Sequence, residues 1–206
     1  MTSLDELLTP PTPTAARALE TARAMADDAL VNHSLRSYAW GAALAATTGL
    51  AYDPELLFVA ALLHDLGVAP LFDAHSEPFE DAGGAVGWVF AAGAGWPVER
   101  RERVREVIQR HMWPEVDPAF DAEGHLLEVA TSFDVRGAGA DAWDAVLVSR
   151  VVRRVPRLDF SASFEVAIRA QAERKPESHA GRLHGAGGVP AGAAWWAARE
   201  GSTPAR

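Results

Sequence analysis

The sequence predicts an all-α fold, and three observations carry that expectation. Apolar residues recur at i, i+3, i+4 and i+7 in every periodic segment, and no segment alternates at the strand period. Helix-starting residues (Thr14, Asp53, Pro54, Pro97) precede these segments and glycines (Gly49, Gly67, Gly137) follow several of them. One stretch, LLFVAALLHDLG over 56–67, is apolar on nearly every side, as a helix at the centre of a bundle must be.

Residues 1–13 are rich in Pro and Thr and read as a flexible lead-in. The helical domain spans 14–175. Its first helix, Thr14 to about Ala29, consists of strong helix formers. A second opens at Asn32-His33-Ser34, with Leu35, Tyr38, Ala39, Ala42 and Ala46 as its apolar stripe, and ends at Gly49. The central helix follows, entered by Asp53 and Pro54, with Gly67 as its C-terminal stop and a loop containing His75 and Glu77 after it. In FEDAGGAVGWVFAAGAGW, each helical glycine costs about 1 kcal/mol of propensity, which implies that Gly83, Gly84 and Gly87 serve close packing. Pro97 starts a helix with Val104, Val107, Ile108 and His111 on its inner face. The segment from Ala122 places Leu127, Ala130 and Asp134 on one stripe before Gly137. Two further helices, about 142–153 and 161–175, complete the domain. The Gly/Pro/Ala-rich tail, 176–206, is expected to be ordered only where Trp195 and Trp196 dock.

Composition narrows the function classes. The chain has 206 residues, a formal net charge of −9 and one lysine, Lys175, so it offers no basic face to nucleic acid or an anionic membrane. Without cysteine it has no disulfide, thiolate nucleophile or Cys-based zinc site, which leaves any metal to His, Asp and Glu. The opening MTSLDELLTPPTPT lacks the features of a signal peptide, and no apolar run approaches a membrane span. A cytoplasmic protein acting on a small molecule is expected, with no nucleic-acid or membrane partner and with a homo-oligomer left open.

Chemistry concentrates at the end of the central helix. His64 and Asp65 end an apolar helix, where unpaired polar groups are costly and the free carbonyls make a cation the favoured partner. With His33 and Asp134 they make two imidazoles and two carboxylates, a neutral set for one divalent ion, better suited to Zn, Fe, Mn or Co than to Ca.

The order His33, then His64-Asp65 within ALLHDLG, then Asp134 resembles the metal-binding signature of the HD-domain superfamily of metal-dependent hydrolases, over about residues 20–155. NHSLRSYAWG at 32–41, DPELLFVAALLHDLG and EPFEDAGGAV at 77–86 resemble its cyanamide hydratase-like branch. The resemblance implies an HD-type helical bundle with a central metal, Zn or Fe first, bound by His33, His64, Asp65 and Asp134. Some HD enzymes hold a second metal through two additional histidines. Here Glu80 stands at one of those positions and His111 could match the other, so a single metal with Glu80 and His111 in the pocket is the preferred reading.

A bound metal lowers the pKa of water from about 15.7 towards 7. The branch resemblance then implies hydration of a small nitrile, with Glu80 or His111 supplying the proton. The alternative is a phosphohydrolase acting on a nucleotide or small phosphomonoester, for which Arg36 and Arg136 are the only arginines obviously near the ligands. That scarcity favours a small neutral substrate. A di-iron oxygenase using Glu80 and His111 as ligands, and a non-catalytic metal-binding sensor, complete the set of readings. Trp88, Trp96 and Trp113 are candidate pocket walls, and His125, His179 and His184 are assigned to the surface.

Overall fold

Side-chain caps set most of the helix starts. The computed structural model describes residues 3–200, and among them the helices are α1 (Leu4–Leu8), α2 (Pro13–Met25), α3 (Asp28–Thr48), α4 (Pro54–Leu63), α5 (Phe79–Gly93), α6 (Val98–Arg110), α7 (Ala122–Arg136), α8 (Ala145–Arg154), α9 (Phe160–Arg174), α10 (His179–Gly185) and α11 (Gly188–Glu200). No strand occurs among the described residues, so the all-α expectation holds. Thr12, Asp27, Asp53, Asp121 and Asp144 cap α2, α3, α4, α7 and α8, each accepting a backbone N–H that the first turn leaves open. No helix among the described residues is long and apolar enough to cross a membrane.

Helix α4 lies at the centre. Every residue from Leu56 to Leu63 is buried, and α2, α3, α5, α6 and α7 all pack against it. Its end departs from expectation. The α-helix stops at Leu63, and His64–Val68 continues as a tighter 3-10 turn containing Gly67. Gly67 is therefore not a left-handed stop; it is a point of close approach. A Cβ there would lie 1.9 Å from the Phe79 carbonyl oxygen, and one at Gly83 would lie 2.5 Å from the His64 carbonyl oxygen. Gly67 and Gly83 thus let this turn sit against α5, and the turn is what aims His64 and Asp65.

Both termini carry more structure than their composition implies. In the lead-in, Ser3 and Glu6 form a reciprocal capping box that starts α1, and Leu7 is buried. In the tail, α10 and α11 pack on α9, and α11 also packs on α7. Trp196 is buried and donates its indole N–H to the Asp134 carbonyl at 2.8 Å, while Trp195 covers Gly137. Docking of the two tryptophans is as expected, but the helical order extends well beyond them. Residues 201–206 of the expected tail, and residues 1–2 of the lead-in, lie outside the described residues. His33 also moves: α3 begins at Asp28, so His33 occupies the second turn instead of the first.

The α6–α7 junction gives a pH-dependent prediction. Asp121 accepts from Arg103 at 2.7 Å, Arg110 at 2.6 Å and the Gly124 N–H at 2.8 Å. Burial raises its pKa, and the two guanidinium groups with the cap N–H outweigh burial, leaving it below the ordinary value. A carboxyl depressed in the folded state contributes stability above its unfolded pKa of about 3.9 and loses it as pH falls through the folded value. Asp121→Ala is expected to cost about 1–3 kcal/mol at neutral pH, a gap that closes as pH drops below about 4. Urea denaturation of both proteins at several pH values measures it.

Candidate metal centre

Three segments supply the centre. On α3, His33, Arg36 and Trp40 share one face at i, i+3 and i+7, all fully buried. The 3-10 turn after α4 supplies His64 and Asp65, and the C-cap of α6 supplies His111. His33, His64 and Asp65 form a buried group whose ligand atoms lie within 4.8 Å of one another. The Nε2 atoms of His33 and His64 are 3.2 Å apart, and they stand 3.3 and 3.2 Å from Asp65 Oδ2. His111 Nε2 lies 3.6 Å from Asp65 Oδ1.

The partners of the other ring nitrogens fix the tautomers. His33 Nδ1 faces Asp134 Oδ2 at 2.7 Å, His64 Nδ1 faces the Ala61 carbonyl at 2.7 Å, and His111 Nδ1 faces the Ile108 carbonyl. Each partner is an acceptor, so each Nδ1 carries the proton and each Nε2 presents a lone pair. Three lone pairs and a carboxylate therefore face one another in a buried space. Neither oxygen of Asp65 accepts a hydrogen bond, although both are buried. Acceptors converging without a donor are the arrangement a cation resolves, and the residues fit a divalent metal.

For His64 the electrostatics agree. Burial lowers the His64 pKa, and Asp65 only partly offsets this, so the ring is held neutral. Asp65 needs positive charge beside it to stay ionised: burial raises its pKa, and it falls well below the ordinary value only when the surrounding His64, His111 and His33 rings carry protons towards it, a part that a cation takes where those rings present lone pairs. Neutral imidazole beside ionised carboxylate is the state that metal binding requires. For His33, burial lowers the pKa but Asp134 and Asp65 together raise it above the ordinary value.

Asp134 has a different place from the one expected. Its oxygens accept from Arg36 Nε and Nη2, both at 2.8 Å, from Trp40 Nε1 at 2.9 Å and from His33 Nδ1 at 2.7 Å. Arg157 Nη1 approaches Oδ2 to 3.3 Å. Asp134 is outside the group formed by His33, His64 and Asp65, and it braces the back of the His33 ring. Arg36 is a correction of the same kind. Its guanidinium is spent on Asp134 and on the Val155 and Pro156 carbonyls and is 0% exposed, so it cannot reach a substrate.

A cavity of about 280 Å³ opens on the group. His33, His64, Asp65 and His111 form its floor, and Trp113, Ser132, Arg136, Phe164, His179 and Arg182 contribute to its walls and rim. Glu80 does not line it and is not part of the buried ligand group; its Oε1 accepts from His179 Nδ1 at 2.8 Å. Of the tryptophans, Trp113 lines the cavity, whereas Trp88 and Trp96 lie elsewhere under Arg101 and Arg100. Reading the sequence missed His179 and Arg182, because both belong to the segment taken for a tail. A Ser178 side chain accepting the Gly181 N–H is the signal that could have marked the helix start there.

The chain is similar to known proteins. The chain is 30% identical over 159 residues to cyanamide hydratase DDI2 and to cyanamide hydratase DDI3, both of Saccharomyces cerevisiae, covering 75% of this chain and 70% of each of theirs. The HD domain model matches residues 30–135, which begins just before His33 and ends just after Asp134. The matched span thus contains every residue of the buried group and its bracing carboxylate, and the chain belongs to the HD domain family.

Proposed function

We propose that this chain is a metal-dependent enzyme that hydrates a small nitrile-like substrate, in the manner named for the yeast cyanamide hydratases it resembles. His33, His64 and Asp65 would hold one divalent ion, Zn or Fe first, with His111 beside them and Asp134 fixing the His33 tautomer. Bound there, the ion would supply Lewis acidity and lower the pKa of water towards neutrality. The protein's part is to aim three imidazole Nε2 atoms at one point, to exclude bulk water and to bound the substrate.

The observation that carries this reading is the size of the cavity. At about 280 Å³ it lies just under the roughly 300–1,000 Å³ of sites that enclose drug-sized ligands, so it suits a molecule of a few heavy atoms better than a nucleotide. One observation favours a second reading. Arg136 and Arg182 both border the cavity, and two guanidinium groups could meet a small phosphomonoester.

Purified protein supplied with zinc or ferrous iron is expected to bind one ion per chain and to form urea from cyanamide. Phosphate release from small phosphomonoesters, with no urea formed, would replace hydration by the second reading.

A further inference from the structure

We propose that His179 is the proton-transfer residue of this cavity and that Glu80 is the buried carboxylate that positions it. Hydration needs such a group. Water must lose a proton as its oxygen bonds to the nitrile carbon, and the nitrile nitrogen must gain one as a carbon–nitrogen π bond breaks. The three histidines on the cavity floor are unsuited to this, because their Nε2 lone pairs face Asp65 and one another, and their Nδ1 protons are committed to Asp134 or to main-chain carbonyls.

His179 differs in each respect. It lines the same cavity from α10, and its ring is 27% exposed. Its Nδ1 faces Glu80 Oε1 at 2.8 Å, so the proton sits on Nδ1 and Nε2 has a free lone pair. Glu80 is buried in the first turn of α5, and its Oε2 has no hydrogen-bond partner, so nothing competes with the imidazole for the carboxylate. The neighbouring ammonium of Lys175 is occupied by the Ala74 and Glu77 carbonyls. A buried carboxylate behind a cavity-facing imidazole holds its tautomer and stabilises the imidazolium formed in transit.

The step balances within the site. His179 Nε2 takes a proton from water as the C–O bond forms, and returns it to the nitrile nitrogen, giving an isourea or imidic acid and regenerating the neutral ring. Transfer of the remaining hydroxyl proton to nitrogen completes the urea or amide. His179 lies outside the matched span of 30–135, so it comes from a part of the chain that the family signature does not include.

This proposal rests on the hydration reading, and the experiment separates the two. Wild type, His179→Ala and Glu80→Gln are compared as metal-loaded proteins on cyanamide, with metal content, melting temperature and the ¹⁵N chemical shifts of the wild-type histidines recorded. His179→Ala is expected to lose about 10²–10⁴-fold in kcat with metal content and melting unchanged, and to recover part of that rate with added imidazole. Glu80→Gln is expected to lower kcat by a smaller factor with KM unchanged, and wild-type His179 to show the Nδ1–H tautomer. A His179→Ala kcat within about threefold of wild type, a loss that imidazole does not relieve, or an Nε2–H tautomer overturns the proposal. A wild type inert towards cyanamide refutes the hydration reading instead, and His179 is then judged on its tautomer alone.

Discussion

Asp65→Ala and His64→Ala are each expected to yield a folded helical protein that retains no metal through gel filtration, measured by elemental analysis beside far-ultraviolet circular dichroism. Losing an outer partner of a metal ligand typically costs 10–100-fold in affinity, and removing one of three ligand side chains must exceed that. The helices should survive because neither side chain supports them. Asp65 accepts no hydrogen bond, and the main-chain contact of the His64 ring is a local one, from Nδ1 to the carbonyl of Ala61. A further expectation follows for the metal-free state. There, Asp65 is a buried carboxylate facing lone pairs, so metal-free Asp65→Ala should be no less stable than metal-free wild type. Normal metal content in both variants would remove the centre described above.

How far the sequence discloses this arrangement depends on the range of the interactions involved. The start of α4 is local: Asp53 accepts the Leu56 N–H and Pro54 pre-sets the first turn, so both are legible. The end of the same helix is not. Its change to a 3-10 turn depends on how closely Gly67 and Gly83 let Phe79 and the His64 carbonyl approach, a contact between segments some fifteen residues apart. Convergence of His33 with His64 and Asp65 could be expected from the HD pattern, which is a spacing. The placement of Asp134 needed a different reading of α3. His33, Arg36 and Trp40 lie at i, i+3 and i+7, so three donors on one face converge on a single acceptor, and that stripe was visible in the sequence. Helices α10 and α11 were hidden because their composition is dominated by Gly, Ala and Pro. Helix α11 is ordered by packing of Trp195 and Trp196 against Gly137 and Phe133, and α10 by packing on α9, tertiary effects that propensity does not register.

Asp134→Ala should behave oppositely to Asp65→Ala. Asp134 is fully buried, and Arg36, which clasps both its oxygens, is buried as well. Burial raises the Asp134 pKa, but Arg36, Arg157 and His33 hold it well below the carboxylate range, so its charge is compensated in the protein as it stands. Removing the carboxylate leaves the Arg36 guanidinium with only the Val155 and Pro156 carbonyls, and frees Trp40 Nε1 and His33 Nδ1 from their acceptor. Breaking one partner from a buried ion pair costs about 3–5 kcal/mol, a large share of the 5–15 kcal/mol that holds a typical domain folded. Urea denaturation of metal-free protein is therefore expected to show a loss of that size for Asp134→Ala and none for Asp65→Ala. The two aspartates were alike as sequence candidates for one metal; in the structure one is satisfied by cations of the protein itself and the other is left facing lone pairs. A pair of equal losses in the metal-free proteins would mean that Asp65, too, is compensated by the chain alone, and the physical case for a cation at the end of α4 would fall with it.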